Sequence, residues 1–211
     1  PSLLLDAYAV TVAQRAGDEG RDATRLLRAM RVLATLEGQA VPDQTIWNAA
    51  DINKITWRAY DDLLQRTHLS VPLAAFESNR LKRLTSYPKR FLADVALACS
   101  LADLDAERLR NDPRAAGGYL ESFVMQQLRP QVDALGGHAS HLRTGAGERE
   151  VDAVVELGDH LFAFEVKHVA RPKPEDAKQL AWLRDQWPER FRGGYVVHTG
   201  ADVYPLGERL W

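Results

Sequence analysis

The sequence predicts a two-part protein of mixed α+β and α/β class: a helical region ending in a winged helix, then a mixed-sheet α/β/α domain. Three observations predict it. Residues from about 20 to 100 run in the order helix, helix, hairpin; residues from about 115 to 198 run α-β-β-β-α-β; and a charged, helix-breaking joint at Asp105 to Pro113 separates them. The expected domains are therefore 1–104 and 105–211. Across 211 residues, 45% are hydrophobic and 27% charged, the balance of a folded globular chain rather than a disordered tail. Lys and Arg number 27 against 29 Asp and Glu, so nucleic-acid contact has to use a local patch. Cys99 is the single cysteine, which excludes an internal disulfide and a cysteine zinc cluster and fits a cytoplasmic location. The apolar runs fall far short of the ~20 residues of a membrane span, and no signal-peptide pattern is present. A chain opening on Pro1 reads as a piece of something longer.

In the first part, Leu26, Leu27, Met30, Leu33 and Ala34 form one helical stripe, which Gly38 ends. Asp43 is expected to cap a short helix over 44–50, and Asp51 or Asn53 a second helix to about His68. In that second helix Ile55, Tyr60, Leu63 and Leu64 make the expected stripe, with Trp57, Arg58 and Asp61 on other faces. Two short helices with a tight turn are the core of a helix-turn-helix. Strand-like 71–76 and 89–93, with a polar segment between them, add the hairpin that makes it winged. Residues 77–91 hold Arg80, Lys82, Arg83, Lys89 and Arg90 against Glu77 alone, a local charge of +4. The bland reading is a solvated hairpin whose charges discourage edge pairing. The functional reading is a wing that neutralises DNA phosphates through those five residues.

The second part begins with a helix over about 115–135, where Leu120, Phe123, Val124 and Leu128 form the expected stripe. Strands follow over 139–142, 151–156 and 162–168, then a helix over 174–187 and a strand over 194–198. Leu157-Gly158-Asp159-His160 is a short turn signal. Closing that hairpin with residue 156 opposite 161 puts Asp152 opposite Glu165, on one face about 4.5–5.5 Å apart at Cα. Period 2 adds Lys167 to the same face and turns Phe164 and Val166 the other way.

That grouping has a chemical logic. Two adjacent carboxylates repel, which raises one pKa unless a cation neutralises them. Their oxygens are the hard ligands that Mg²⁺ takes. A lysine beside them can orient a metal-bound water or stabilise a phosphoryl transition state. The structural alternative is an exposed polar face with a simple ion pair of Lys167 to Glu165 or Asp152. Glu121, near the start of the preceding helix, taken alone is an acid favoured by the helix dipole.

Glu121 in Leu-Glu-Ser-Phe-Val, Asp152 in Arg-Glu-Val-Asp, and Glu165 with Lys167 in Phe-Glu-Val-Lys together resemble the PD-(D/E)XK nuclease-like core. With Tyr87-Pro88-Lys89-Arg90-Phe91-Leu92-Ala93-Asp94 upstream, the whole chain looks like the C-terminal module of bacterial AAA-type ATPases. Val95-Ala96-Leu97 departs from the Thr-Gly-Leu usual in that family. The resemblance implies a restriction-endonuclease-like domain and catalytic residues Glu121, Asp152, Glu165 and Lys167. It also implies Mg²⁺ (or Mn²⁺) on Asp152, Glu165 and Glu121, DNA as partner, and an N-terminal ATPase domain in the full-length protein. ATP itself is not expected on this chain, which has no Gly-x-x-x-x-Gly-Lys-[Ser/Thr].

The remaining candidates read as structural. Gln179 occupies a position where some related nucleases keep a glutamine near DNA, but an ordinary surface residue explains it. The histidines show no metal-ligand spacing. Two functions compete: a Mg²⁺-dependent nuclease with a DNA-binding winged helix, and a non-catalytic DNA- or protein-binding module regulating the attached ATPase.

Overall fold

A computed structural model describes residues 7–8, 11, 22–76, 86–144 and 149–211. The chain forms two compact units, residues 1–72 with 89–112, and residues 73–88 with 113–211. The last change of unit along the chain falls at 112/113. Asp105 caps a short helix by accepting from the Glu107 and Arg108 N–H groups, so the charged joint itself folds.

In the first unit, helix α1 (Ala23–Thr35) is capped by Asp22 and buries Leu26, Ala29, Met30, Leu33 and Ala34. Gly38 then turns the chain with φ +69°, a conformation natural to glycine. Helix α2 (Asp43–Ala49) has Pro42 at its cap, and Asp43 makes no capping bond there. Asn53 caps helix α3 (Lys54–Arg66) through the Thr56 N–H at 2.8 Å. Its buried stripe is Trp57, Tyr60, Leu63 and Leu64, while Ile55 is 81% exposed. The expected stripe was thus right in its last turns but exchanged Ile55 for Trp57, because the large indole takes the core position in the first turns. Strands β1 (Ser70–Leu73) and β2 (Lys89–Leu92) pair as a two-stranded sheet. Asp94 caps helix α4 (Val95–Leu101) through the Leu97 N–H, and α5 is Ala106–Asn111. The aspartate that ends the Tyr-Pro-Lys segment therefore has a structural use.

The second unit opens with helix α6 (Pro113–Ala134), where proline suits the first position because its missing N–H would be unbonded anyway. Strands β3 (His138–Arg143), β4 (Glu150–Leu157) and β5 (His160–Lys167) follow as an antiparallel meander. A 3₁₀ turn (Pro174–Ala177) and helix α7 (Lys178–Gln186) cross over to β6 (Phe191–His198), which lies parallel to β5. The sheet order is β3-β4-β5-β6. Val154, Leu161, Ala163, Phe191 and Val196 pack with Leu180 and Leu183 of α7 into the main core. The alternate residues Val155, Phe162 and Phe164 face Leu128 and Val132 of α6. Helices thus cover both faces. No helix among the described residues is long and apolar enough to cross a membrane.

The stripe expected on α6 is rotated. Tyr119, Ser122, Met125 and Val132 are buried, and Phe123 is 49% exposed.

Candidate functional site

The β4–β5 register is Ala153↔Phe164, Val154↔Ala163 and Val155↔Phe162, out to Leu157↔His160 at the turn. A two-residue loop fixes that register, and Gly158 supplies the positive φ (+58°) the loop requires. Toward its open end the backbone ladder stops after Ala153↔Phe164. There the Asp152 Oδ2 accepts the Val166 N–H at 2.9 Å. Asp152 is therefore a side-chain continuation of the ladder, directed at β5.

Glu165 and Lys167 share the face that carries Ala163 and Leu161, the α7 side of the sheet. Glu165 is buried, 8% exposed. Lys167 Nζ donates to its Oε1 at 2.7 Å, with the lysine side chain 34% exposed. Burial opposes the lysine charge. The hydrogen bond to Glu165 and the charges of Glu165, Asp152 and Asp176 outweigh it and hold the ammonium above the ordinary lysine range. Asp176, in the 3₁₀ turn, thus joins the cluster electrostatically. Sequence reasoning missed it; its only signal is a position just ahead of the helix after Lys167. Its Oδ2 accepts the Lys173 N–H at 2.8 Å.

Glu121 sits half-buried on α6, whose C-terminal half packs on the other face of the sheet. Among the described residues no three His, Cys, Asp or Glu side chains are gathered as a metal-binding group. Glu121, Asp152 and Glu165 therefore do not form the preformed three-carboxylate set expected from the resemblance. Asp152 and Glu165 remain as hard anionic oxygen donors. Their chemistry fits Mg²⁺, which is commonly held by one or two carboxylates with water and phosphate oxygens completing the octahedron.

Arg149 Nη1 donates to Gln179 Oε1 at 3.2 Å, and the guanidinium lies 5.5 Å from the Trp182 ring centroid. Gln179, expected as an ordinary surface residue, thus makes a specific contact.

The proposed phosphate-binding residues separate into two groups. Arg80, Lys82 and Arg83 lie outside the described residues. Lys89 and Arg90 are buried, 2% and 8% exposed. Arg90 Nη2 meets Asp43 Oδ1 at 2.7 Å, its Nε lies 3.4 Å from Asp61 Oδ1, and its guanidinium rests 5.7 Å from the Trp57 ring centroid. Burying a guanidinium requires such compensation, and here Asp43 and Asp61 supply it.

Residues 116–211 match the family described as a domain of unknown function, DUF4143, and residues 4–108 match a second one, DUF8612. Each match covers just under half of the chain. DUF4143 is commonly found in AAA-ATPase-associated proteins. No curated protein and no solved structure matches the chain.

Proposed function

We propose that the second unit is a divalent-metal-dependent DNA nuclease-like module, that the first unit is a winged helix serving DNA, and that the pair works beside an AAA-type ATPase domain. The observation that carries this reading is the cluster at the open end of the β4–β5 hairpin: Asp152 aimed across at β5, buried Glu165, and Lys167 held to it at 2.7 Å. It stands on an α-β-β-β-α-β unit whose last strand is parallel to its neighbour. The simple exposed ion pair fits less well, because Glu165 is buried and burying a carboxylate is costly without a use for it.

A bound Mg²⁺ would supply Lewis acidity at a phosphodiester and a nucleophilic water at neutral pH. Asp152 and Glu165 would hold the ion. Lys167, kept protonated by three carboxylates, fixes the Glu165 side chain and presents positive charge where a phosphoryl transition state accumulates negative charge. The first unit contributes two short helices joined by a turn and followed by a two-stranded sheet. The basic stretch at Arg80, Lys82 and Arg83, between the two strands in sequence, supplies phosphate-directed charge.

A second reading has its own support. The closed Lys167–Glu165 pair and the lack of a three-ligand group among the described residues suit a non-catalytic binding module that regulates the ATPase. Incubation of single- and double-stranded DNA with Mg²⁺ and either wild type or Asp152→Ala separates them. The nuclease reading expects cleavage by wild type alone; intact DNA in both lanes leaves the binding module.

A further inference from the structure

Among the described half-buried arginines, Arg184 meets Asp185 at 2.8 Å and Arg190 meets Glu156 at 3.1 Å. Arg149 is different. It is half-buried and makes no ion pair with any described carboxylate; its guanidinium is met by the Gln179 amide oxygen and the Trp182 ring.

Both partners come from α7, three residues apart and hence on one helix face. The backbone of Arg149 is fixed as well. Thr144 N donates to Arg149 O at 3.0 Å, and Arg149 N donates to Thr144 Oγ1 at 3.2 Å. A guanidinium offers five N–H donors in a planar fork, and Gln179 takes one of them. The indole holds the plane without using a donor. The result is a stiffened cation whose remaining donors are directed by its neighbours, at little further cost in side-chain entropy.

Its place gives the arrangement a use. Arg149 lies three residues before Asp152, about 10 Å along the strand. Gln179 lies in α7, whose Leu180 and Leu183 pack with Leu161 and Ala163 of β5. Arg149 is thus held on α7, the helix that packs on the sheet face carrying Glu165 and Lys167. A phosphodiester approaching Asp152 and Glu165 meets two carboxylates, while Lys167 is already engaged by Glu165. Binding an anion there calls for a cation whose charge is not spent.

We propose that Arg149 is a preorganised contact for a backbone phosphate of DNA next to the Asp152–Glu165–Lys167 cluster, with Gln179 and Trp182 as its positioning residues. The proposal rests on the nuclease-like reading and names a residue that recognises the substrate.

The test is fluorescence anisotropy of the full chain with a short labelled DNA duplex in EDTA, over a series of salt concentrations. Arg149→Ala is expected to weaken binding about tenfold, the size of one charge-assisted hydrogen bond. It should also reduce the slope of log affinity against log salt by ~0.9, the value for one lost phosphate contact. Gln179→Leu keeps the charge, so the slope should hold while affinity falls severalfold; this variant serves equally if Arg149→Ala fails to fold. Wild-type affinity and slope in both variants would overturn the proposal and leave the nuclease reading standing if Mg²⁺-dependent cleavage persists. No binding by wild type in EDTA would overturn the proposal, and Mg²⁺-dependent cleavage, assayed separately, decides the nuclease reading. Binding lost in Arg149→Ala, with no cleavage by wild type, would keep the phosphate contact and remove the nuclease.

Discussion

Replacing Lys167 with Met isolates the charge pair at the centre of the site. The change keeps most of the aliphatic stem and removes the ammonium that meets Glu165 at 2.7 Å. Glu165 is 8% exposed, so it is left as a carboxylate with little access to water. Removing one partner of a fully buried pair costs about 3–5 kcal/mol. An exposed pair is worth about 0–1 kcal/mol. With the lysine side chain 34% exposed and its partner buried, the expected loss lies between these limits, about 2 kcal/mol. Adding Glu165→Gln removes the stranded charge, so the double variant should regain most of that loss, a coupling of about 1 kcal/mol or more. The assay is urea unfolding followed by Trp182, Trp187 and Trp211 emission, in a background where Trp47 and Trp57 are replaced by Phe. The pH dependence has a definite sign. Lys167 is held above its ordinary range in the folded state, so the stabilisation is fully present below the unfolded value of about 10.4 and is lost as pH rises through the folded value. Wild type minus Lys167→Met should therefore stay flat from neutrality to about pH 10 and then close. A loss under about 0.5 kcal/mol, or equal losses in single and double variants, would show the pair to be solvated surface charge and refute the reasoning.

Arg90→Met should destabilise the first unit by about 2–3 kcal/mol, since it leaves the largely shielded Asp61 without its cation while Asp43, 42% exposed, stays in water; an unchanged urea midpoint for Trp57 emission would argue that Asp61 is solvated too. Mg²⁺ at a hundred times its Kd should stabilise the second unit by about 2.7 kcal/mol, and Asp152→Asn should abolish that gain. The metal-free variant should melt like wild type, because an asparagine Oδ1 still accepts the Val166 N–H; differential scanning calorimetry with and without Mg²⁺ reads both. Gly137→Ala should cost about 1–3 kcal/mol, since the new Cβ would lie 2.3 Å from Leu157 Cδ2 and 2.8 Å from Glu156 O; a chemical denaturation curve coincident with wild type would contradict it.

The hairpin that carries Asp152 and Glu165 was legible because local chemistry determines it. A two-residue turn at Gly158-Asp159 fixes the register, and alternation of apolar residues fixes the faces. The order of elements in the second unit was legible for the same reason, each helix and strand being announced by its own period. Residues whose surroundings come from distant segments were read less well. Lys89 and Arg90 look like wing charges in sequence, yet the aspartates that bury Arg90 come from α2 and α3, a partnership no local pattern records. Ile55 and Trp57 exchanged places because hydrophobic spacing locates a stripe but not which of two neighbouring faces the core selects. Asp43 was read as a cap; the fold gives it to Arg90 instead. Glu121 entered through the motif resemblance, and its helix covers the sheet face opposite Lys167 over its C-terminal half. Asp176 and Arg149 became visible only once α7 was laid against the sheet.

Anomalous scattering from a Mn²⁺-soaked crystal tests the account most directly, because the central claim is that Asp152 and Glu165 together hold a divalent ion. The account predicts one anomalous peak within coordination distance of both carboxylates and its loss in Asp152→Asn crystals soaked in parallel. A wild-type map with no peak between them, the Lys167–Glu165 pair still closed at saturating Mn²⁺, would contradict it.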